Sequence, residues 1–239
     1  MAYRWWLIKF FVCTINQLIL MEQKIYLLFG RSGCGKGTQA ELLAKKLNLP
    51  TFSSGDMLRA KLQETDFTAR KLKKVIEGGQ LAPTFYIFQL WVRKFEELKD
   101  NSGFAGIIMD GSPRTLTEAQ LLQEAFGWYE WQAFPILIDI SRQEAENRLI
   151  RRRICQNCGQ LIPFVGQYKK IKKCDRCGGE LIHRSDDETT AIKKRLDYYE
   201  KHVQPAVDYY EQQGALIKIN GEQPIKKVFD ELLSKIENQ

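Results

Sequence analysis

An apolar run, Ile25-Tyr26-Leu27-Leu28-Phe29, leads straight into Gly30-Arg31-Ser32-Gly33-Cys34-Gly35-Lys36-Gly37-Thr38, and that loop into Gln39-Ala40-Glu41-Leu42-Leu43-Ala44-Lys45-Lys46-Leu47. Strand-forming, glycine-rich and helix-forming residues in that order leave the backbone few choices. Glycines let the loop curl until several N–H groups point inward, and the following helix N-terminus adds positive dipole. Such a concavity suits phosphate oxygens, with Lys36 as a point charge for the terminal groups. Gly37 stands where the general phosphate loop has Ser or Thr, and Thr38 follows it. A glycine-rich turn without a ligand is the alternative, and the strand before and helix after weigh against it. Cys34 reads as a small residue that fits the loop.

Beyond the loop, apolar runs alternate with helical patterns. The spacing predicts strands at Lys24–Phe29, Gly106–Met109, Pro135–Ile140 and Ala215–Ile219. It predicts helices at Lys36–Leu47, Asp56–Lys61, Ala69–Gly78, Thr84–Leu98, Thr115–Phe126, Arg142–Arg153, Glu188–Gln213 and Pro224–Ile236. This alternation implies an α/β fold with a parallel sheet covered by helices on both faces. Ligands of such sheets bind beyond the strand C-termini, where the glycine loop and Asp110 both fall. Gly78-Gly79 and the cysteine-bearing segment interrupt the alternation as insertions. With 239 residues and 44% hydrophobic content, the chain suffices for one core with inserted lobes.

Six cysteines occur, and four of them form two C-x-x-C pairs, Cys155/Cys158 and Cys174/Cys177, with fifteen residues between the pairs. That is zinc-ribbon spacing rather than a secreted disulfide framework. Gly159 and Gly178-Gly179 suit the tight knuckles such pairs need. Four thiolates fill a tetrahedral site and leave no position for a substrate, so the expected Zn²⁺ is structural. A redox dithiol is the competing reading. A net charge of +7 favours an anionic partner. Residues 1–20 carry Trp5-Trp6-Leu7-Ile8 and Phe10-Phe11-Val12, but Lys9, Asn16 and Gln17 interrupt them. The run makes a poor membrane span, and no small-residue cleavage site follows it. The expectation is an N-terminal arm or a non-native start with Met21 as the natural one; an amphipathic membrane anchor is the rival. Without an export signal, the expected compartment is the cytoplasm.

Two more segments carry chemistry. Ser53-Ser54-Gly55-Asp56-Met57-Leu58-Arg59 runs from a loop into a helix, and Asp110-Gly111-Ser112-Pro113-Arg114 closes a strand and turns. Asp110 could order water around Mg²⁺, while Arg59 and Arg114 present planar forks to a phosphate. A basic run of Arg148, Arg151, Arg152 and Arg153 leads into the first cysteine pair, and Arg184, Asp186, Asp187 and Arg195 follow the second.

With GRSGCGKGTQ at 30–39, SSGDMLR at 53–59, DGSPRT at 110–115, RLIRRRICQNC at 148–158 and CDRCGGELIHRSDD at 174–187, the chain resembles an adenylate kinase of the long, zinc-lid type over residues 22–239. The resemblance implies a P-loop, three-layer parallel-sheet core (21–52, 83–150 and 188–239), a monophosphate-binding lobe at 53–82 and a zinc lid at 151–187. It implies reversible, Mg²⁺-dependent phosphoryl transfer from ATP to AMP, giving two ADP, by a monomer. The loop residues Gly30, Gly33, Cys34, Gly35, Lys36, Gly37 and Thr38 would hold the donor phosphates. Arg148 would lie over the donor base near Gly221, with Leu161 and Ile162 touching the donor nucleotide from the lid. Ser54, Arg59, Gln80, Leu81, Ala82, Gly111, Ser112, Pro113 and Arg114 would hold the acceptor. Arg152 would reach the transferring phosphates, Arg184 and Arg195 would steady the acceptor phosphate and developing charge, and Asp110 would orient the Mg²⁺ shell.

Three positions depart from that pattern. Ser32 replaces a proline, Ser112 replaces an aromatic residue, and Glu118 replaces a glutamine expected at the acceptor base. A carboxylate only accepts hydrogen bonds, so it suits a guanine edge better than an adenine edge. This keeps GMP, CMP or UMP open as alternative acceptors. A zinc-ribbon nucleic-acid-binding protein is a further alternative, but the lid offers only Phe164 and Tyr168 among its lysines as stacking platforms. Neither nucleic acid nor membrane is the expected partner. Intact Lys36, Asp110, Arg114 and Arg152 weigh against a non-catalytic nucleotide sensor.

Overall fold

The computed structural model describes residues 23–77, 80–183 and 187–238. The arm at 1–20, Met21, Gly78-Gly79, Arg184 and Asp186 lie outside the described residues. Strand β1 (Gln23–Phe29) feeds the glycine loop and helix α1 (Lys36–Leu47). Then come β2 (Thr51–Phe52), α2 (Ser54–Lys61), α3 (Phe67–Glu77), α4 (Thr84–Lys99), β3 (Gly106–Asp110), α5 (Leu116–Tyr129), β4 (Trp131–Asp139) and α6 (Arg142–Arg151). A small ribbon follows, built of β5 (Arg153–Cys155), β6 (Leu161–Ile162), a 3₁₀ turn at Gly166–Lys169 and β7 (Leu181–His183). Helix α7 (Thr189–Tyr198), a π-helical turn (Tyr199–Val203), α8 (Gln204–Gln212), β8 (Ile217–Asn220) and α9 (Ile225–Glu237) complete the chain.

The central sheet has the order β2-β3-β1-β4-β8, and every neighbouring pair in it is parallel. Its strands alternate their side chains between two apolar layers, as a period of two requires. Ile25, Leu27, Phe29, Ile107 and Met109 face Trp91 and Phe95 of α4, Leu122 and Phe126 of α5, and Tyr210 of α8. Tyr26, Leu28, Ile108, Ile136 and Ile138 face Leu43 of α1, Leu149 of α6, Leu196 of α7 and Leu232 of α9. The result is the three-layer α/β core expected from the alternation. Reversal of strand order around β1 places its C-terminal loop at a topological switch point.

Away from this sheet, β6-β5-β7 form an antiparallel ribbon between α6 and α7. It joins α6 with no linker, because Arg152 already leaves the helix (φ −64°, ψ 143°) and β5 begins at the next residue. Several expected bounds shift, among them those of the two helices that flank the ribbon. The helix expected over Glu188–Gln213 is divided by the π-helical turn, and Arg142–Arg153 ends as a helix at Arg151.

Candidate active site

The glycine loop curls because three of its glycines take conformations that L-residues avoid: Gly30 at φ 142°, Gly33 at 86° and Gly35 at 101°. Gly30 is also hemmed in, since a methyl there would stand 2.5 Å from the Ile138 carbonyl oxygen and 2.6 Å from Cys34 Sγ. Gly35 caps α1 without a side chain, so the first amides of the helix face the loop's interior. Lys36 arches back over the loop, its Nζ donating to the carbonyls of Gly30 at 2.6 Å and Arg31 at 3.2 Å. Cys34 is buried, as a small loop residue should be. Asp110, at the end of the adjacent β3, sits beside this cradle: a methyl on Gly37 would lie 3.6 Å from its Oδ2. Thr38 follows in the first turn of α1.

On the far side of β1, the fold joins Arg148 and Gly221, which are distant in sequence. Arg148 on α6 is only 7% exposed; its Nε donates to Glu144 Oε1 at 2.6 Å and its Nη2 to the Gly221 carbonyl at 3.0 Å. Gly221 cannot be larger, because a methyl would fall 2.7 Å from Ile138 Cγ2 and 2.9 Å from the Asp139 carbonyl. Its amide donates to that same carbonyl at 2.8 Å.

A second cluster of candidate residues lies beyond β3. Ser54, opening α2, shares a 2.7 Å hydrogen bond between its Oγ and Ser112 Oγ, both buried. The Ser112–Pro113 peptide is cis. Arg59 and Arg114 converge over the start of α2, since a methyl on Gly55 would meet Arg59 Nη1 at 3.3 Å and Arg114 Nη2 at 3.8 Å. Arg114 Nε is held by the Gly111 carbonyl at 2.9 Å. Ahead of α4, Gln80 is exposed, Leu81 half-buried and Ala82 buried.

Glu118 behaves differently from its sequence expectation. Thr115 caps α5 by accepting from the Glu118 amide, and the Glu118 carboxylate turns back so that Oε2 accepts from the Arg114 amide at 2.6 Å. This is a variant of the capping box, in which the third helical residue reaches back past the cap. The side chain is 2% exposed. Burial pushes its carboxyl above the usual range, against the pull of the Arg114 amide and guanidinium. One of its oxygens is therefore committed to the chain's own backbone.

Where α6 leaves off, Arg152 grips Asp187 with both arms of its fork: Nε to Oδ2 at 2.8 Å and Nη2 to Oδ1 at 2.6 Å. Arg195 Nη1 adds a third bond to Oδ1 at 2.9 Å. Asp187 is 3% exposed; burial raises its carboxyl, but the two guanidiniums outweigh that and hold it below the usual range. Sequence reasoning noted Asp187 without giving it a task; the signal was its place beside Arg184 in an arginine-rich stretch. Of the two lid residues expected near the donor, Leu161 is 45% exposed on β6, whereas Ile162 is 1% exposed and packs inside the ribbon. The Ile162 side chain is thus part of the ribbon's core, which leaves its backbone as the group that could face a nucleotide.

Cys155, Cys158, Cys174 and Cys177 place their sulfurs within 4.8 Å of one another. Cys155 and Cys177 are separated by 3.4 Å, and Cys158 and Cys174 by 3.6 Å. Those spacings are too long for a disulfide and close to the ~3.8 Å edge of a tetrahedron with Zn–S bonds of about 2.3 Å. Two matching turns present them: Gly159 N donates to Cys155 O, and Gly178 N to Cys174 O, with both glycines at positive φ. A methyl on Gly179 would sit 2.9 Å from Cys155 Sγ. The donor set fits a closed metal centre.

A parallel sheet with a phosphate loop at its switch point, an arginine pair beyond β3 and an arginine-bearing ribbon define a P-loop phosphotransferase. Residues 28–215 match the adenylate kinase family. The chain is 38% identical over 205 residues to the adenylate kinase of Methanocella arvoryzae, covering 85% of this chain and 94% of that one. It is 37% identical over 204 residues to that of Listeria monocytogenes, covering 84% and 94%. With the adenylate kinase of Chlamydia trachomatis serovar L2 it shares 34% identity over 220 residues, covering 88% and 89%. The chain belongs to the adenylate kinase family.

Proposed function

We propose that this protein catalyses the reversible transfer of the terminal phosphoryl group of ATP to AMP, giving two ADP. The observation that carries the reading is the arrangement around β1. A phosphate cradle with Lys36 and Asp110 lies at the strand's end, and the Arg59–Arg114 pair lies beyond β3. Donor phosphates occupy the loop from Gly30 to Thr38, and the donor base rests on Arg148 beside Gly221. The acceptor phosphate is held by Arg59 and Arg114, its nucleoside by Ser54, the 80–82 segment and the Gly111–Pro113 turn. An oxygen of the acceptor phosphate attacks the terminal phosphorus of ATP, and the bond from that phosphorus to the bridging oxygen breaks. No side chain has to act as nucleophile; positioning and charge neutralisation suffice. Mg²⁺ enters with the nucleotide as part of the substrate, and Asp110 orients its water shell.

Arg152 and Arg195 supply positive charge to the transferring group, and Arg184 joins them from outside the described residues. The Asp187 carboxylate keeps the first two beside each other until a more highly charged phosphate competes for them. Segments 53–82 and 151–187 close over the substrates and exclude water, which strengthens every charge interaction inside. Zn²⁺ held by Cys155, Cys158, Cys174 and Cys177 stiffens the ribbon as a unit and takes no part in the chemistry. A monomer acting in the cytoplasm, with neither nucleic acid nor membrane as a partner, goes with this reading; light scattering and fractionation test it. Among the described residues no helix is long and apolar enough to cross a membrane.

Glu118 motivates a second reading with GMP, CMP or UMP as acceptor, because a carboxylate offers no donor to adenine. Its engagement with the Arg114 amide favours a capping role and so supports AMP. A coupled assay of ADP formation from Mg-ATP with AMP, GMP, CMP or UMP decides the matter. Preference for AMP upholds the proposal, preference for another acceptor replaces the substrate, and no turnover with any of them sinks it.

A further inference from the structure

A glycine-rich loop binds phosphate well only if its amides are already aimed, and glycine gives the backbone more freedom than any other residue. This loop has Ser32 where a proline would restrict it. Its stiffening comes from elsewhere. Arg31 leaves the loop sideways: Nη1 donates to the Ile140 carbonyl at 3.0 Å and to Asp139 Oδ1 at 3.3 Å, and the guanidinium lies 4.9 Å from the centre of the Tyr199 ring. The Asp139 carboxylate is largely exposed, so that ion pair alone is weak. The carbonyl bond and the ring face, both shielded, fix the fork in place.

The same strand end carries the other half of the donor site. Asp139 O accepts from the Gly221 amide at 2.8 Å, and the Ser141 amide donates to Glu222 Oε1 at 2.8 Å. Arg148, in turn, is fixed by the Gly221 carbonyl. Residues 139–141 therefore hold the phosphate loop on one side and the base platform on the other. A nucleoside triphosphate spans both. Of the acceptor residues, Ser54 and Ser112 are instead tied to each other, and Arg114 to Gly111.

We infer that Arg31 is a positioning residue that sets the distance between the phosphate loop and the donor-base platform, and so tunes ATP affinity separately from AMP affinity. The inference rests on the donor and acceptor assignment proposed above. Arg31 could instead be a direct phosphate ligand, and the two roles respond oppositely to loss of Asp139. A phosphate ligand would be released by Asp139→Asn and bind ATP more tightly; a positioning residue loses an anchor and lets ATP go.

The test is steady-state kinetics on the full chain and its Arg31→Ala, Arg31→Lys and Asp139→Asn variants, varying ATP and AMP in turn, with thermal melts alongside. Arg31→Ala should raise KM for ATP about tenfold and leave KM for AMP within about twofold. Arg31→Lys should recover part of the loss, because it keeps the charge but not the planar fork. Asp139→Asn, an exposed and shape-conserving change, should raise KM for ATP about two- to threefold. Equal rises in both KM values, no change in either, or a lower KM for ATP in Asp139→Asn would each overturn the inference. A wild-type enzyme without AMP-dependent ADP formation would instead sink the proposed function, which keeps the two failures apart.

Discussion

Replacing Glu118 by glutamine should make the protein more stable at neutral pH and no more stable in acid. The carboxylate is 2% exposed, and its Oε2 takes the Arg114 amide at 2.6 Å. Burial raises its pKa above the usual carboxylate value, and the opposing pull of Arg114 does not cancel that. In the unfolded chain the same group ionises near about pH 4.3. The folded state thus holds the proton more tightly, so this contribution is full below the unfolded value and is lost as pH rises through the folded one. Glutamine copies the neutral form and keeps an oxygen for the Arg114 N–H. Exchanging a charged acceptor for a neutral one gives up about 1 kcal/mol. Relief of the buried charge returns more than that, because the wild-type balance already favours the neutral group. A net gain on the order of 1 kcal/mol is expected near neutral pH, or about 2–4 °C in Tm for a chain of this size. Paired thermal melts from about pH 4 to 8 should show the gap opening as pH rises above the unfolded value. A gap that is constant across that range, or a variant less stable at the alkaline end, would refute the reasoning.

Asp187→Asn removes the charge that Arg152 and Arg195 share; kcat should fall about ten- to a hundredfold with both KM values little changed. An unaltered kcat would show that the carboxylate does not set those arginines. Gly30→Ala forces a methyl against the Ile138 carbonyl at a φ of 142°, and urea melts should record a loss of about 2 kcal/mol or more, with a higher KM for ATP. Elemental analysis should find about one zinc per chain, and Cys177→Ser or a strong chelator should lower the melting temperature. Retention of the full melting temperature without metal would exclude a structural centre.

Much of the fold was legible because the sheet is buried on both faces and its strands announce themselves as apolar runs. The loop and α1 were read with the bounds they have, since glycine punctuates the backbone so strongly. Strand β2 was not legible: Thr51–Phe52 is two residues long and shows no period. The π-helical turn at Tyr199–Val203 was hidden because Ile192, Leu196, Tyr199, Val207 and Tyr210 keep a helical apolar rhythm through it. Strand β4 starts four residues early, at Trp131, because Glu130 adopts a left-handed turn (φ 58°) that runs α5 directly into the sheet. In the site, residue types gave away the cradle and the cysteines. Pairings did not show: Asp187 meets Arg152 across 35 positions, and Arg148 meets Gly221 across 73. At Glu118 the residue's chemistry suggested a base reader, and its place at the start of α5 also makes it a cap, which residue type alone did not show.

The ribbon's direct attachment to α6 has a mechanical consequence. The backbone departs from the helix at Arg152 itself, and the next residue already belongs to β5. If the ribbon closes as the proposed reaction requires, the chain on this side would bend at the residue whose guanidinium meets the transferring phosphate. On the proposed reading, joint and catalytic cation would be one amino acid, four positions beyond the arginine assigned to the donor base. Closing the ribbon and delivering the charge become a single movement, and a substitution meant to loosen the joint would also remove the group the joint carries.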